Sequence, residues 1–219
     1  MQPPTLHIIH FFAYIGHLEQ IYNFLRSFNW CEIDVLHSSI DVEDCLESMN
    51  SNKSNRRKKR KILLASAIAD SSVTVPGVAC VIDTCKALEM KWNRTRKSYD
   101  TKCVWASQAI CDQRRGRTGR TCPGKVYRLV YQSFYNNYMD EYEQPKIVLA
   151  SMRDEVLSLL ASKNKVMQDP ALLLKKCIDP PSTKHVSDAI DYLKDVGACR
   201  EVSEYQFCLT FAGAHVIEF

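Results

Sequence analysis

Short β-branched runs alternate with helical-period segments through the first two-thirds of the chain, and that order leaves few folds open. His7–Phe12 is an apolar run rich in Ile and Phe, the pattern of a buried strand. Leu18, Ile21, Tyr22 and Leu25 then recur at helical spacing, which predicts an amphipathic helix over Gly16–Phe28. Glu32–Leu36, Lys61–Ala65 and Val78–Ile82 read as further strands, with Val42–Met49 as a helix. Strands separated by helices build a parallel sheet with the helices packed on its faces. The expected class is α/β. With 46% hydrophobic and 25% charged residues in 219, the chain has the apolar content such a core needs.

The composition shifts near Pro145. Ile147, Met152, Val156, Leu157 and Leu160 predict a helix, and Asp179-Pro180-Pro181 then resets the chain. Ser182 is the expected N-cap of a helix running to Val196, with Val186, Ile190 and Leu193 on its apolar face and Gly197 at its end. An α/β domain over residues 1–145 followed by a small, mostly helical unit over 146–219 is the expected organisation. Between Met49 and Lys61 the stretch MNSNKSNRRKKRK cannot bury a face and reads as an exposed loop. It is either a solvated connection, an RNA-facing patch or, through Arg56–Lys61, a nuclear import signal.

Several classes fall away. A net charge of +4 is too mild to name a polyanionic partner by itself. No apolar run reaches the roughly 18 residues of a membrane span, so no membrane partner is expected. No basic segment precedes His7–Leu18 and no small-residue cleavage site follows it, so the expected location is intracellular, nuclear or cytoplasmic. The ten cysteines contain no C-x-x-C pair and the six histidines are scattered, so no metal is expected and the thiols read as reduced, small hydrophobes.

The chemistry-bearing segment is Gln113–Arg120, QRRGRTGR. It holds Arg114, Arg115, Arg117 and Arg120, interrupted by Gly116 and Gly119. Each guanidinium is a permanently charged planar fork matched to phosphate oxygens, and glycines let backbone approach a ligand closely. A basic surface turn would explain the charge but not the doubled Gly-Arg step after Gln113. Arg117 and Arg120 share a face if the segment is helical.

QRRGRTGR resembles motif VI of superfamily 2 helicases, above all the QRxGRxGR of the DEAH/RHA group. Ala65–Gly77, ASAIADSSVTVPG, followed by Val81-Ile82-Asp83, is similar to that group's motif V. Phe11-Phe12 resembles motif IV, Leu36-His37-Ser38-Ser39 the turn that follows it, and Gly124–Leu129 the strand after motif VI. Asp179-Pro180-Pro181, Ala189, Leu193, Gly197, Ala198, Leu209-Thr210 and Gly213 resemble the family's winged helix. The wording AIADSSVTVPGV is similar to the plant branch that joins a DExH helicase to CCCH zinc fingers, although no such finger spacing occurs here.

The resemblance implies a second RecA-like lobe leading into a winged helix, with a β-hairpin between Ala87 and Trp105. It also implies ATP with Mg²⁺ as cofactor and RNA as partner. Gln113 would orient the attacking water or touch the γ-phosphate, and Arg117 and Arg120 would be arginine fingers. Arg114 and Arg115 would serve structure or interdomain contacts. Ser66, Ser72 and Thr74 would hold the RNA backbone, and Met49 would pack on the nucleotide base. The basic residues of Lys53–Lys61 and Arg94–Lys97 would add weak, salt-sensitive RNA binding. The chain carries neither G-x-x-x-x-G-K-[ST] nor a DExH box, the parts that belong to the family's first lobe. The reading is thus a helicase motor lobe, a fragment inactive alone that requires the missing N-terminal lobe. The alternatives are a non-catalytic nucleic-acid-binding scaffold and a DNA-directed helicase.

Overall fold

The computed structural model describes residues 7–37, 60–67, 75, 77–162 and 169–217. The expected helix Val42–Met49 and most of the basic loop before Lys61 lie outside the described residues. The rest follows the alternation. In chain order come β1 (His7–Phe11), α1 (Ile15–Leu25), β2 (Cys31–Leu36), β3 (Arg60–Ala65) and β4 (Val78–Asp83). Next are β5 (Lys86–Asn93), β6 (Ser98–Trp105), α2 (Gln108–Arg115), β7 (Lys125–Arg128) and α3 (Gln132–Tyr138). The last third holds α4 (Lys146–Leu149), α5 (Arg153–Ala161), α6 (Pro170–Leu174), α7 (Thr183–Asp195), β8 (Cys199–Ser203), β9 (Gln206–Leu209) and α8 (Phe211–Ile217).

Five strands form one sheet in the order β2-β3-β1-β4-β7, and every pairing is parallel. This is the RecA-like α/β arrangement. Its middle strands read as near-continuous apolar runs because helices cover both faces. On one face Ile9, Phe11, Leu36, Leu63, Ala65, Val78 and Val81 form a buried cluster. On the other, Ile62, Leu64, Phe12 and Cys31 pack with Leu18 of α1. β1, β2 and β3 alternate between these two cores, as the period of two requires.

Contacts divide the chain into two compact units, residues 1–89 with 101–143, and residues 90–100 with 144–219. The second unit is mostly helical and carries the antiparallel pair β8-β9. Its core joins Val156, Leu157 and Leu160 of α5 to Val186, Ala189, Ile190 and Leu193 of α7. Ser182 caps α7 by accepting the His185 N–H at 3.2 Å, and Gly197 ends it with φ +73°. The single helix expected from Ile147 to Leu160 is broken at Met152, which adopts φ +64° with its side chain fully buried. Burying that thioether in the core offsets the left-handed backbone. The expected hairpin is present, turning through Arg94–Lys97, where the Asn93 Oδ1 accepts the N–H groups of Thr95 and Arg96.

Candidate functional site

The site grows from the carboxyl end of β4. Thr84 donates its hydroxyl to the Phe11 carbonyl at 3.0 Å, tying the strand end to β1. At Cys85 the backbone takes φ +56°, and the chain turns into β5. After β6, Ser107 starts α2: its Oγ accepts from the Ile110 N–H at 3.1 Å and donates to the Glu143 carboxylate at 3.1 Å. The Gln108 and Ala109 N–H groups donate to the Asp140 and Glu141 carbonyls, so the first-turn donors of α2 have partners.

Arg114 is the anchor of this helix. Its side chain is fully buried, yet its Nη1 lies 2.8 Å from Asp83 Oδ1 and donates to the Lys86 carbonyl at 3.1 Å. The guanidinium carbon sits 5.2 Å from the Phe11 ring centroid. Asp83 is equally buried, and the same Oδ1 accepts the Cys85 N–H at 2.8 Å. A buried pair of this kind holds only when its geometry and remaining hydrogen bonds are good, and both conditions are met on Oδ1. On the outer side of α2, Arg128 reaches Asp112 at 2.6 Å.

Beyond Arg114 the expected helical face does not form. The helix stops at Arg115, and Gly119 takes φ +78°, so Arg117 and Arg120 do not share a helix face. Thr118 Oγ1 donates to the Val78 carbonyl at 2.6 Å, and the Gly77 N–H donates to Thr121 Oγ1 at 2.9 Å. These two bonds bind the segment to the start of β4. A Cβ on Gly124 would come within 1.8 Å of Thr118 Oγ1, so only glycine lets the chain pass there into β7. Gln113 and Arg120 are exposed, whereas Arg117 keeps only 8% exposure. Arg120 Nε donates back to the Gly116 carbonyl at 2.8 Å, which holds its guanidinium near the turn.

Ser66 stands half-buried just past the carboxyl end of β3, its N–H donating to the Leu36 carbonyl at 2.9 Å. Met49, Ser72 and Thr74 lie outside the described residues. Arg94 pairs with Asp188 and Arg96 with Asp100, so these hairpin cations already have carboxylate partners. No spacing in the sequence predicts the Asp83–Arg114 pair. Its signal was an acidic residue at the end of a β-branched run, which nothing local distinguishes from an exposed strand end.

The helicase conserved C-terminal domain matches residues 4–122 of the chain. The chain belongs to the helicase C-terminal domain family. Within it, this is a DExH-type superfamily 2 lobe. It is 41% identical over 203 residues to the DExH-box ATP-dependent RNA helicase DExH8 of Arabidopsis thaliana, covering 92% of this chain and 20% of that protein. It is 42% identical over 180 residues to zinc finger CCCH domain-containing protein 4 of Oryza sativa subsp. japonica, covering 82% of this chain and 17% of that one. The helicase lobe therefore spans about a fifth of these relatives. In fold it resembles the Escherichia coli DEAH/RHA helicase HrpB, with a TM-score of 0.77 at 21% identity over 94% of this chain and 25% of that one.

Proposed function

We propose that this lobe is the second motor half of an ATP-dependent RNA helicase and that it supplies phosphate-directed donors to a nucleotide site shared with a first lobe. The observation that carries the reading is the buried Asp83–Arg114 anchor. It fixes α2 against the sheet, so the exposed Gln113 and the turn bearing Arg120 are carried on a rigid support. Preorganised donors cost little reorganisation when charge develops on a transferring phosphoryl group, and that is where an arginine fork gains most.

ATP supplies the phosphoryl group in this reading, and the residues fit that role. Gln113 and Arg120 offer donors at the surface, and Arg117 backs them from within the fold. Asp83 is buried against Arg114 and gives Mg²⁺ no oxygen at the surface, so that ion falls to carboxylates of the first lobe. Gln113 orients the water, while Arg117 and Arg120 neutralise the γ-phosphate as its bond breaks. Ser66, Ser72 and Thr74 hold the RNA sugar-phosphate backbone without reading sequence, which suits a translocating motor. Met49 packs on the nucleotide base. In this reading residues 1–145 make the RecA-like domain and 146–219 the winged-helix unit, while contacts group residues 90–100 and 144–145 with the second.

The test uses the two-lobe protein. Arg117→Ala or Arg120→Ala should each lower RNA-stimulated ATP turnover by about 10³-fold, the scale of a lost arginine finger. Arg120→Lys should not restore it, because an ammonium keeps the charge but loses the fork. RNA affinity without nucleotide should stay within a factor of about two. Intact turnover with lost RNA binding would reassign these arginines to RNA, and no effect on either would leave the lobe a non-catalytic scaffold.

A further inference from the structure

Beneath α2 the fold brings together three groups that the sequence keeps far apart. A carboxylate oxygen of Asp83 and the Sγ atoms of Cys85 and Cys111 all lie within 4.8 Å of one another, and all three residues are completely buried. The Asp83 carboxylate is used unequally. Oδ1 accepts from both the Cys85 N–H and Arg114, whereas Oδ2 is buried with no hydrogen-bond partner. A buried carboxylate oxygen left without a donor costs more than a typical unmade hydrogen bond, and such an orphan calls for an explanation.

We propose that Asp83 Oδ2, Cys85 Sγ and Cys111 Sγ form a binding site for a thiophilic divalent ion of the zinc type. Two soft sulfurs and one oxygen are a donor set that zinc accepts, with sulfurs about 2.3 Å and oxygen about 2.0 Å from the ion. Tetrahedral ligation would set the two sulfurs about 3.8 Å apart, which falls inside the 4.8 Å that bounds the three atoms. The charge also balances. One divalent ion enters as both thiols release their protons to solvent, so the site keeps the net charge it has with Asp83 and Arg114 alone. Arg114 stays on Oδ1 and orients the carboxylate. Mg²⁺ is a poor occupant, since it demands six oxygen ligands.

The thiols already interact. Their mutual hydrogen bond holds Cys85 below the usual thiol value, while the same bond and burial push Cys111 upward. A bound ion would pin the turn after β4 to the helix that opens QRRGRTGR.

The test uses the full chain, kept reduced with a phosphine. Zinc content is read on protein purified from zinc-supplemented cells, and Co²⁺ is then equilibrated with metal-stripped protein. One ion per chain, two protons released per ion, and intense sulfur-to-cobalt charge-transfer absorption are expected. Cys111→Ala suits a helix interior, and Cys85→Gly suits φ +56°, so both variants should fold. Each should weaken Co²⁺ binding on the order of a hundredfold, while Cys103→Ser, at an exposed thiol, should leave it unchanged. Zinc should raise the melting temperature of the parent and not of the two variants. Unchanged binding in either variant, no binding by the reduced parent, or conversion of Cys85 and Cys111 to a disulfide in place of metal uptake would each overturn the site.

Discussion

Arg114 and Arg117 sit three residues apart in one motif and meet different physics. Arg114 gives its charge to a buried carboxylate, so replacing it strands Asp83. Arg114→Met should cost about 3–5 kcal/mol, the usual penalty for breaking a buried pair, read from urea unfolding of the chain. Asp83→Asn combined with Arg114→Met should recover part of that loss, because no uncompensated charge remains. His10 behaves differently. Burial holds its imidazole down at about 4 against the usual 6.5, and its Nε2 is buried without a hydrogen-bond partner. Between those values the unfolded chain takes up a proton that the folded chain refuses. The lobe should keep full stability above about pH 6.5 and lose it progressively toward pH 4, by about 2–3 kcal/mol. Unfolding midpoints across that range measure the slope, and His10→Leu should flatten it.

Elements were legible where one local rule decided them. The strands β1 to β4 are short apolar runs rich in Ile, Val and Leu, a composition that suits a strand buried on both faces. α7 was legible from both ends, through its Ser182 cap and Gly197 stop. Ser182→Ala should lower stability by about 1 kcal/mol, measurable as a drop in thermal midpoint without change in fold. At Met152 the apolar period runs straight through the break, and the one local sign of a new helix start is Ser151, whose Oγ accepts the Arg153 N–H ahead of Asp154 and Glu155. The face shared by Arg117 and Arg120 failed for a related reason. Gly116 and Gly119 end the helix before those arginines can line up on it. Gln113, Arg117 and Arg120 stand together through the resemblance of QRRGRTGR to motif VI, but burial separates Arg117 from the other two, and burial is decided by long-range packing. The meeting of Cys85 with Cys111 is likewise a product of topology, invisible in any spacing rule.

At the scale of the whole molecule, the proposed function makes this chain one half of a two-lobe ATP site. Its relatives are about five times longer, and no phosphate loop occurs in its sequence. The isolated chain should show no ATP turnover above background with or without RNA, in a steady-state assay of purified protein. Turnover that Arg120→Ala abolishes would show that the chain completes a site alone. RNA binding should be weak and steeply salt-dependent. Neutralising Arg56, Arg57, Lys58 and Lys59 should flatten that dependence more than changing Arg94 or Arg96, whose charges are already matched by Asp188 and Asp100.

The tip of the hairpin has a consequence for how this lobe can be divided. Residues 90–100 belong by contact to the unit that resumes only at residue 144. There the Arg153 guanidinium lies 4.5 Å from the Trp92 ring centre and 3.6 Å from that of Tyr192, and the Tyr99 hydroxyl accepts the Ser151 N–H at 3.1 Å. The two units are therefore threaded through each other in sequence, not strung one after the other. Scissors applied after residue 145 would free no intact piece: the first would keep an aromatic fingertip with nothing to hold, and the second would lose the ring that covers Arg153.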